Sequence, residues 1–373
     1  MILLTITLGL YLDSSIENLI HDFNKDENLL GISAAQTLYF NKTTAFNYIE
    51  TQLDFGPRVP GTTSHDDCAD WIRDELNETT DTILTHNFTI QKYSGPSYQC
   101  QNILGKINPQ KENIVIFSAH WDSRNVAEKD TENQSLPIPG ANDGGSGVAV
   151  LLELARVLSE YKSELDCQVW FLFLDAEDQG YSRGMYGLEG WSWAEGSIVF
   201  ANEIDDFYNT TSETFDCFIL LDMVGGSNLK FIKESRSNEA LHDSIFDEGA
   251  KLGYYEAFPS QPTTMYISDD HVAFDNIGIP VIDLIIDFIN GEWTYHHTHS
   301  DNLSNIDVES LLITGQTLEA FMKKYYTTNQ NKDWRKADLP TSVYISITIG
   351  SIVLVGLLVR LMIRRKQKRY SEQ

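Results

Sequence analysis

The hexapeptide Val169-Trp170-Phe171-Leu172-Phe173-Leu174 admits few environments. Six consecutive large apolar side chains leave neither face of a strand for water. A run this short, bounded by Gln168 and Asp175, reads as a strand rather than a helix. Such a strand belongs to a sheet covered on both sides, and sheets of that kind are mostly parallel. Apolar or alternating runs recur at 83–91, 101–107, 114–119, 167–175, 217–223 and 280–286, and helical spacing at 146–159, 237–252 and 308–326. The alternation predicts an α/β fold with a mixed, largely parallel central sheet and helices on both faces. With 373 residues, 42% of them hydrophobic, the chain can fill one large core, and it carries no internal repeat.

Polar residues gather where the predicted strands end. His120 and Asp122 close one run, Asp175, Glu177 and Asp178 follow a second, and Asp222 follows a third. Tyr295-His296-His297-Thr298-His299 comes after the last, and Asp143 stands in the loop PGANDGGSG before a predicted helix. Open α/β sheets bind ligands beyond the carboxyl ends of their strands. Imidazoles and carboxylates crowded on one rim lose hydration and repel unless a cation neutralises them, and this mixed nitrogen and oxygen set suits zinc. Taken singly, each acid has an ordinary reading as a helix cap or solvated turn. Asp143 is followed by no Gly-Lys-Ser/Thr, which argues against a phosphate loop.

The net charge of −27 excludes a generic nucleic-acid surface and favours small or cationic partners. It is unevenly placed: six basic residues crowd the end of the chain, at Arg360, Arg364, Arg365, Lys366, Lys368 and Arg369. Just before them, 343–359 is an uncharged apolar run, and we expect a transmembrane helix over 341–363. The positive-inside pattern then puts the basic tail, 364–373, in the cytoplasm and the acidic domain outside it, anchored to the membrane. The expected domain spans 41–326, with a polar linker at 327–340. The first 40 residues form an N-terminal segment whose apolar start, Met1 to Leu12, reads as a signal or anchor remnant. Glycosylation sequons at Asn41, Asn77, Asn87, Asn133, Asn209 and Asn302 agree with an outside location. The four cysteines form no C-x-x-C pair, so no zinc knuckle is indicated, and disulfides are permitted but not required.

The ordered set H-x-D, P-G-A-N-D-G-x-S-G, D-A-E-D, L-D-M-V-G and H-H-T-x-x-D resembles the zinc-dependent M28 peptidase superfamily, which includes aminopeptidases and glutaminyl-peptide cyclotransferases. The stretches FGPRVPGTTSHDDCADWI, AHWDSR and SDDHVAF are most similar to the cyclotransferase branch. In two-zinc peptidases the resemblance implies that His120 and Asp178 bind one ion, Asp222 and His297 the other, with Asp143 bridging and Glu177 as general base. In cyclotransferases it implies a single zinc on Asp143, Asp178 and His297, with Glu177 moving the proton and Asp222, Asp269 and Asp270 in a hydrogen-bond network. Trp121, Trp191, Trp193 and His296 are the candidates for the substrate wall; His296 stands where cyclotransferases commonly carry tryptophan, and Asp178 where many relatives carry glutamate. The resemblance thus implies peptide or protein N-termini as substrates, cyclised or cleaved. A catalytically silent domain that merely binds such termini is disfavoured by the intact set of charged positions.

Overall fold

The computed structural model describes residues 37–93, 95–181, 186–291, 293–327 and Trp334. The compact unit that carries the sheet begins at Phe40. Helices α1 (Lys42–Phe55) and α2 (Thr63–Thr79) precede strands β1 (Thr82–Gln91), β2 (Ser97–Ile107) and β3 (Asn113–His120). Helix α3 (Gly145–Glu160) leads into β4 (Gln168–Leu174), and α4 (Glu195–Asn202) into β5 (Thr214–Asp222). Then come β6 (Lys233–Glu234), α5 (Glu239–Lys251), β7 (Thr264–Met265), α6 (His271–Asn276), β8 (Val281–Ile285) and α7 (Val308–Tyr326).

Six strands form one sheet in the order β1-β2-β4-β3-β5-β8. β4, β3, β5 and β8 run parallel, while β1 and β2 add an antiparallel margin. Alternation along each strand feeds two cores. Val115, Phe117, Val169, Phe171, Ile219 and Leu221 pack with residues of α1, α2, α3, α5 and α7. Ile114, Ile116, Trp170, Leu172, Phe218 and Leu220 pack on the other face with Phe200 of α4 and Phe274 of α6. Each fully buried side chain of this size contributes roughly 1.5–3 kcal/mol of transfer free energy, so the central strands are the stable frame from which the loops project. The mixed sheet with helices on both faces is the expected architecture.

Some elements were not predicted. Helix α2 buries only a narrow stripe, Cys68, Ala69, Ile72 and Leu76 beside His65, among many acids, and its start depends on Thr62 accepting from the His65 N–H. Helices α4 and α6 are too short for periodicity to reveal. All four cysteines are buried free thiols. The expected N-terminal signal, transmembrane helix and basic tail lie outside the described residues. Among the described residues no helix is long and apolar enough to cross a membrane.

Candidate metal centre and catalytic pocket

Because β4, β3, β5 and β8 are parallel, their carboxyl ends share one edge of the sheet, and the polar residues found in the sequence meet there. His120 ends β3 and Asp222 ends β5. Left-handed turns at Ala176 (φ 58°), Met223 (φ 51°) and His297 (φ 58°) redirect the chain at the rim. Such a conformation costs a non-glycine residue on the order of 1 kcal/mol or more and persists where the surroundings enforce it.

Buried polar groups supply that enforcement. The Asp122 carboxylate accepts from the N–H groups of Glu177 (3.0 Å) and Asp178 (3.2 Å) and from Gln179 Nε2 (2.9 Å). Asp122 therefore shapes the loop after β4 rather than facing the pocket. Asp301, the last residue of H-H-T-x-x-D, accepts from the N–H groups of Asn142 (2.8 Å) and Asp143 (3.1 Å). Arg58, fully buried, donates to the carbonyls of Pro139 and Gly140, both at 2.7 Å. Gly144 at φ 78° turns the chain into α3, and together these contacts fix Asp143.

The centre itself is two clusters sharing Asp143. His297 Nε2 lies 3.1 Å from Asp178 Oδ1 and 3.8 Å from Asp143 Oδ2. Its Nδ1 shares a 2.8 Å hydrogen bond with Glu128 Oε1, and Glu128 also accepts from Arg124 Nε. On the other side His120 Nε2 lies 3.2 Å from Asp143 Oδ1 and 3.3 Å from Asp222 Oδ1, with Nδ1 3.4 Å from Asp122. This crosses the pairing expected for two zinc ions. His120 engages Asp222 instead of Asp178, and His297 engages Asp178 instead of Asp222, because each imidazole turns to the nearest carboxylate across Asp143. Asp143 Oδ2 and Asp178 Oδ2 are buried without a hydrogen-bond donor among the described residues. A carboxylate–histidine–carboxylate set joined through His297, with orphaned oxygens and its histidine oriented by Glu128, is of the kind that binds zinc, and Asp143, His296 and His297 also bring one ligand atom each within 4.8 Å of the others.

The electrostatics point the same way. Burial, then repulsion from Asp269, pushes the Glu177 carboxyl well above the ordinary range, and the same two causes raise Asp222. Burial and the charge of Asp143 raise Asp178. Burial opposes protonation of His120, yet Asp122, Asp143 and Asp222 outweigh it and hold the imidazole well above its usual value. The pocket is thus rich in buried carboxylates and short of positive charge.

A cavity of about 180 Å³ opens over this centre, lined by Asp143, Glu177, Asp178, Asp222, Asp269, His296 and His297 on its polar side. Trp193, Phe288, Ile267, Ile285 and Met223 form the apolar side. Trp193 stacks on His297 with ring centres 5.8 Å apart, and Arg124 sits 4.6 Å over its ring. Gly180 permits this approach, since a Cβ there would collide with the indole. His296 packs on Phe288 at 4.5 Å, contacts Lys129, and has Nε2 3.8 Å from Asp143 Oδ2. Three expected residues are elsewhere. Trp121 is fully buried and stacked on His65, 4.2 Å away, in the core beneath the rim. Trp191 packs edge-on against Tyr98 in a separate small cluster. Asp270 is fully buried next to Asp269 and does not line the cavity. Sequence reasoning missed Arg124, Glu128 and Phe288; for the first two, only their place just after AHWDS offered a hint.

The model of peptidase family M28 matches residues 102–322. A glutaminyl-peptide cyclotransferase of Drosophila melanogaster is 26% identical over 276 residues, covering 67% of this chain and 72% of that protein. The solved glutaminyl cyclase of Bacteroides thetaiotaomicron superposes with a TM-score of 0.70 at 31% identity, covering 80% of this chain and 100% of the other. Aminopeptidase YwaD of Bacillus subtilis is 30% identical over 235 residues, covering 60% of this chain and 45% of its own length. With the family model covering the parallel strands, the glycine-rich loop and the histidine loop, the chain belongs to peptidase family M28.

Proposed function

We propose that this chain is a zinc-dependent glutaminyl-peptide cyclotransferase, converting an N-terminal glutamine to pyroglutamate with release of ammonia. The observation that carries the reading is the crossed pairing: Asp178 sits with His297 at 3.1 Å while Asp222 sits with His120 at 3.3 Å. That arrangement favours one ion on Asp143, Asp178 and His297, with His120 and Asp222 turned to each other on the far side of Asp143. The resemblance to cyclotransferases of both insect and bacterial origin supports it.

Asp143, Asp178 and His297 would hold the zinc, which when bound supplies Lewis-acid polarisation of the substrate's γ-carbonyl. Trp193, Phe288 and Ile267 accept the aliphatic part of the glutamine side chain. Asp222 and Asp269 face the α-amine and orient it. Glu177 removes a proton from that amine as its nitrogen bonds to the γ-carbonyl carbon, then gives the proton to the departing amide nitrogen, which leaves as ammonia. A carboxyl raised by burial and by Asp269 is suited to both halves of this transfer. Nucleophile and electrophile belong to one residue, so positioning supplies much of the acceleration.

The second reading, a zinc aminopeptidase, is favoured by the alternative ligand cluster of His120, Asp143 and Asp222, which could hold a second ion. Mass analysis of a glutamine-initiated peptide separates the two. Full-length product lacking one ammonia supports cyclisation, while a shortened peptide with free glutamine overturns it.

Membrane anchoring with the domain outside the cytoplasm is part of the same reading. It is supported by the apolar run 343–359, its basic flank, and sequons at exposed Asn41, Asn77, Asn87, Asn133 and Asn209. Protease protection of the basic tail in sealed membranes, with the domain accessible, is expected; a protected domain would contradict it.

A further inference from the structure

We propose a second divalent-cation site behind the catalytic pocket, formed by Asp269, His271 and Asp283 with Glu234 as the outer partner of the histidine. One ligand atom from each of Asp269, His271 and Asp283 lies within 4.8 Å of the others. None of the three residues is more than 4% exposed. Asp283 is the middle residue of β8, paired opposite Leu220 in a strand buried along its whole length. A carboxylate in that position is not explained by the sheet.

As ionised carboxylates, Asp269 and Asp283 lack donors for buried oxygens, and a cation would supply the missing partner. Glu234 Oε2 lies 3.1 Å from His271 Nε2, which leaves Nδ1 turned toward Asp283 Oδ2 at 3.6 Å. Glu234 lies at the position from which a carboxylate orients a ligating histidine, with the opposite ring nitrogen toward Asp283. Nδ1 and the carboxylates of Asp269 and Asp283 then face one another as acceptors. Both oxygens of Asp283, Oδ2 of Asp269 and both ring nitrogens of His271 are buried without a hydrogen-bond partner among the described residues. Buried acceptors of this kind require a partner. A single cation serves all of them, and one imidazole with two carboxylates is a set for zinc or manganese rather than for calcium or magnesium.

The site shares no ligand with Asp143, Asp178 and His297, nor with His120 and Asp222. It stands whichever reaction the pocket performs. Its position gives it a use, because Asp269 lines the catalytic cavity and an ion at its back would fix that wall.

Anomalous X-ray scattering from crystals of the full chain, equilibrated with zinc or with manganese, tests the proposal. A peak among Asp269, His271 and Asp283, separate from any peak at His297, is expected. Asp269, His271 and Asp283 in direct contact with no peak, the side chains sharing protons instead, would overturn it. Metal quantitation gives an independent arm. Asp283→Asn is expected to lose one equivalent relative to the unmodified chain, and the double variant His120→Ala/Asp143→Ala to retain one. Unchanged content in Asp283→Asn, or no metal in the double variant, would contradict the site. The crystallographic result decides if Asp283→Asn fails to fold.

Discussion

His297 meets Asp178 through a 3.1 Å contact between Nε2 and Oδ1, although they arrive from loops after different strands, β8 and β4. Glu177, adjacent to Asp178 and facing the same cavity, is left free of the metal set and buried enough for its carboxyl to be raised. Replacing Glu177 by glutamine preserves shape and removes the proton acceptor. We expect kcat to fall by about 10²–10⁴-fold with zinc content unchanged. Turnover within a few-fold of the parent protein would remove Glu177 from the proton transfer.

Glu128 acts through His297. Its hydrogen bond to Nδ1 orients the imidazole, and Arg124 holds the carboxylate in turn. Partners of this kind are worth roughly 10–100-fold in metal affinity. Glu128→Gln should weaken zinc binding by that factor in a competition titration against a chelator, with the fold intact by circular dichroism. Unaltered affinity would assign Glu128 to the frame alone.

The same residue makes the metal-free protein acid-sensitive. Burial would raise the Glu128 carboxyl, but His297 and Arg124 outweigh it and bring it down to about 2 from an ordinary 4.5. A depressed carboxyl contributes stability that is present above 4.5 and lost as pH falls toward 2. The loss is expected to reach at most about 3 kcal/mol. Denaturant melts of the zinc-stripped protein across that window should show it, and Glu128→Gln should flatten the slope. An identical slope in the variant counts against the ion pairs.

Trp193 and Trp191 are two residues apart and should behave oppositely. Trp193→Ala opens the cavity wall and is expected to raise KM about 10-fold with little change in stability. Gly180→Ala, by pushing the indole aside, should move KM in the same direction. Trp191→Ala empties the packing against Tyr98 and should cost about 3 kcal/mol or more while leaving KM near its original value. A large KM effect from Trp191→Ala would place that residue at the substrate after all.

Much of this was legible in the chain. Continuous apolar runs such as 169–174 announce a two-sided sheet, and the acids that follow them had nowhere to go but its rim. His120, Asp143, Glu177, Asp178, Asp222 and His297 all converge there. What the chain does not display is direction. Trp121 adjoins His120 and Trp191 lies two residues from Trp193, yet one points into the core and the other into a separate cluster, because side chains close in sequence on a strand or turn diverge. Glu128 and Arg124 gave little signal, since one acid and one base in a polar loop are ordinary until folding sets them behind His297. The crossed pairing of His120 with Asp222 was equally out of reach, being decided by distances of a few ångström around Asp143.

The central claim is that the pocket closes a ring instead of admitting water. A glutamine-initiated peptide incubated with the zinc-loaded chain in heavy-oxygen water tests this directly. Cyclisation predicts a full-length pyroglutamyl peptide carrying no heavy oxygen and one ammonia for each peptide consumed. Free glutamine labelled with heavy oxygen, together with a peptide shortened by one residue, would contradict it.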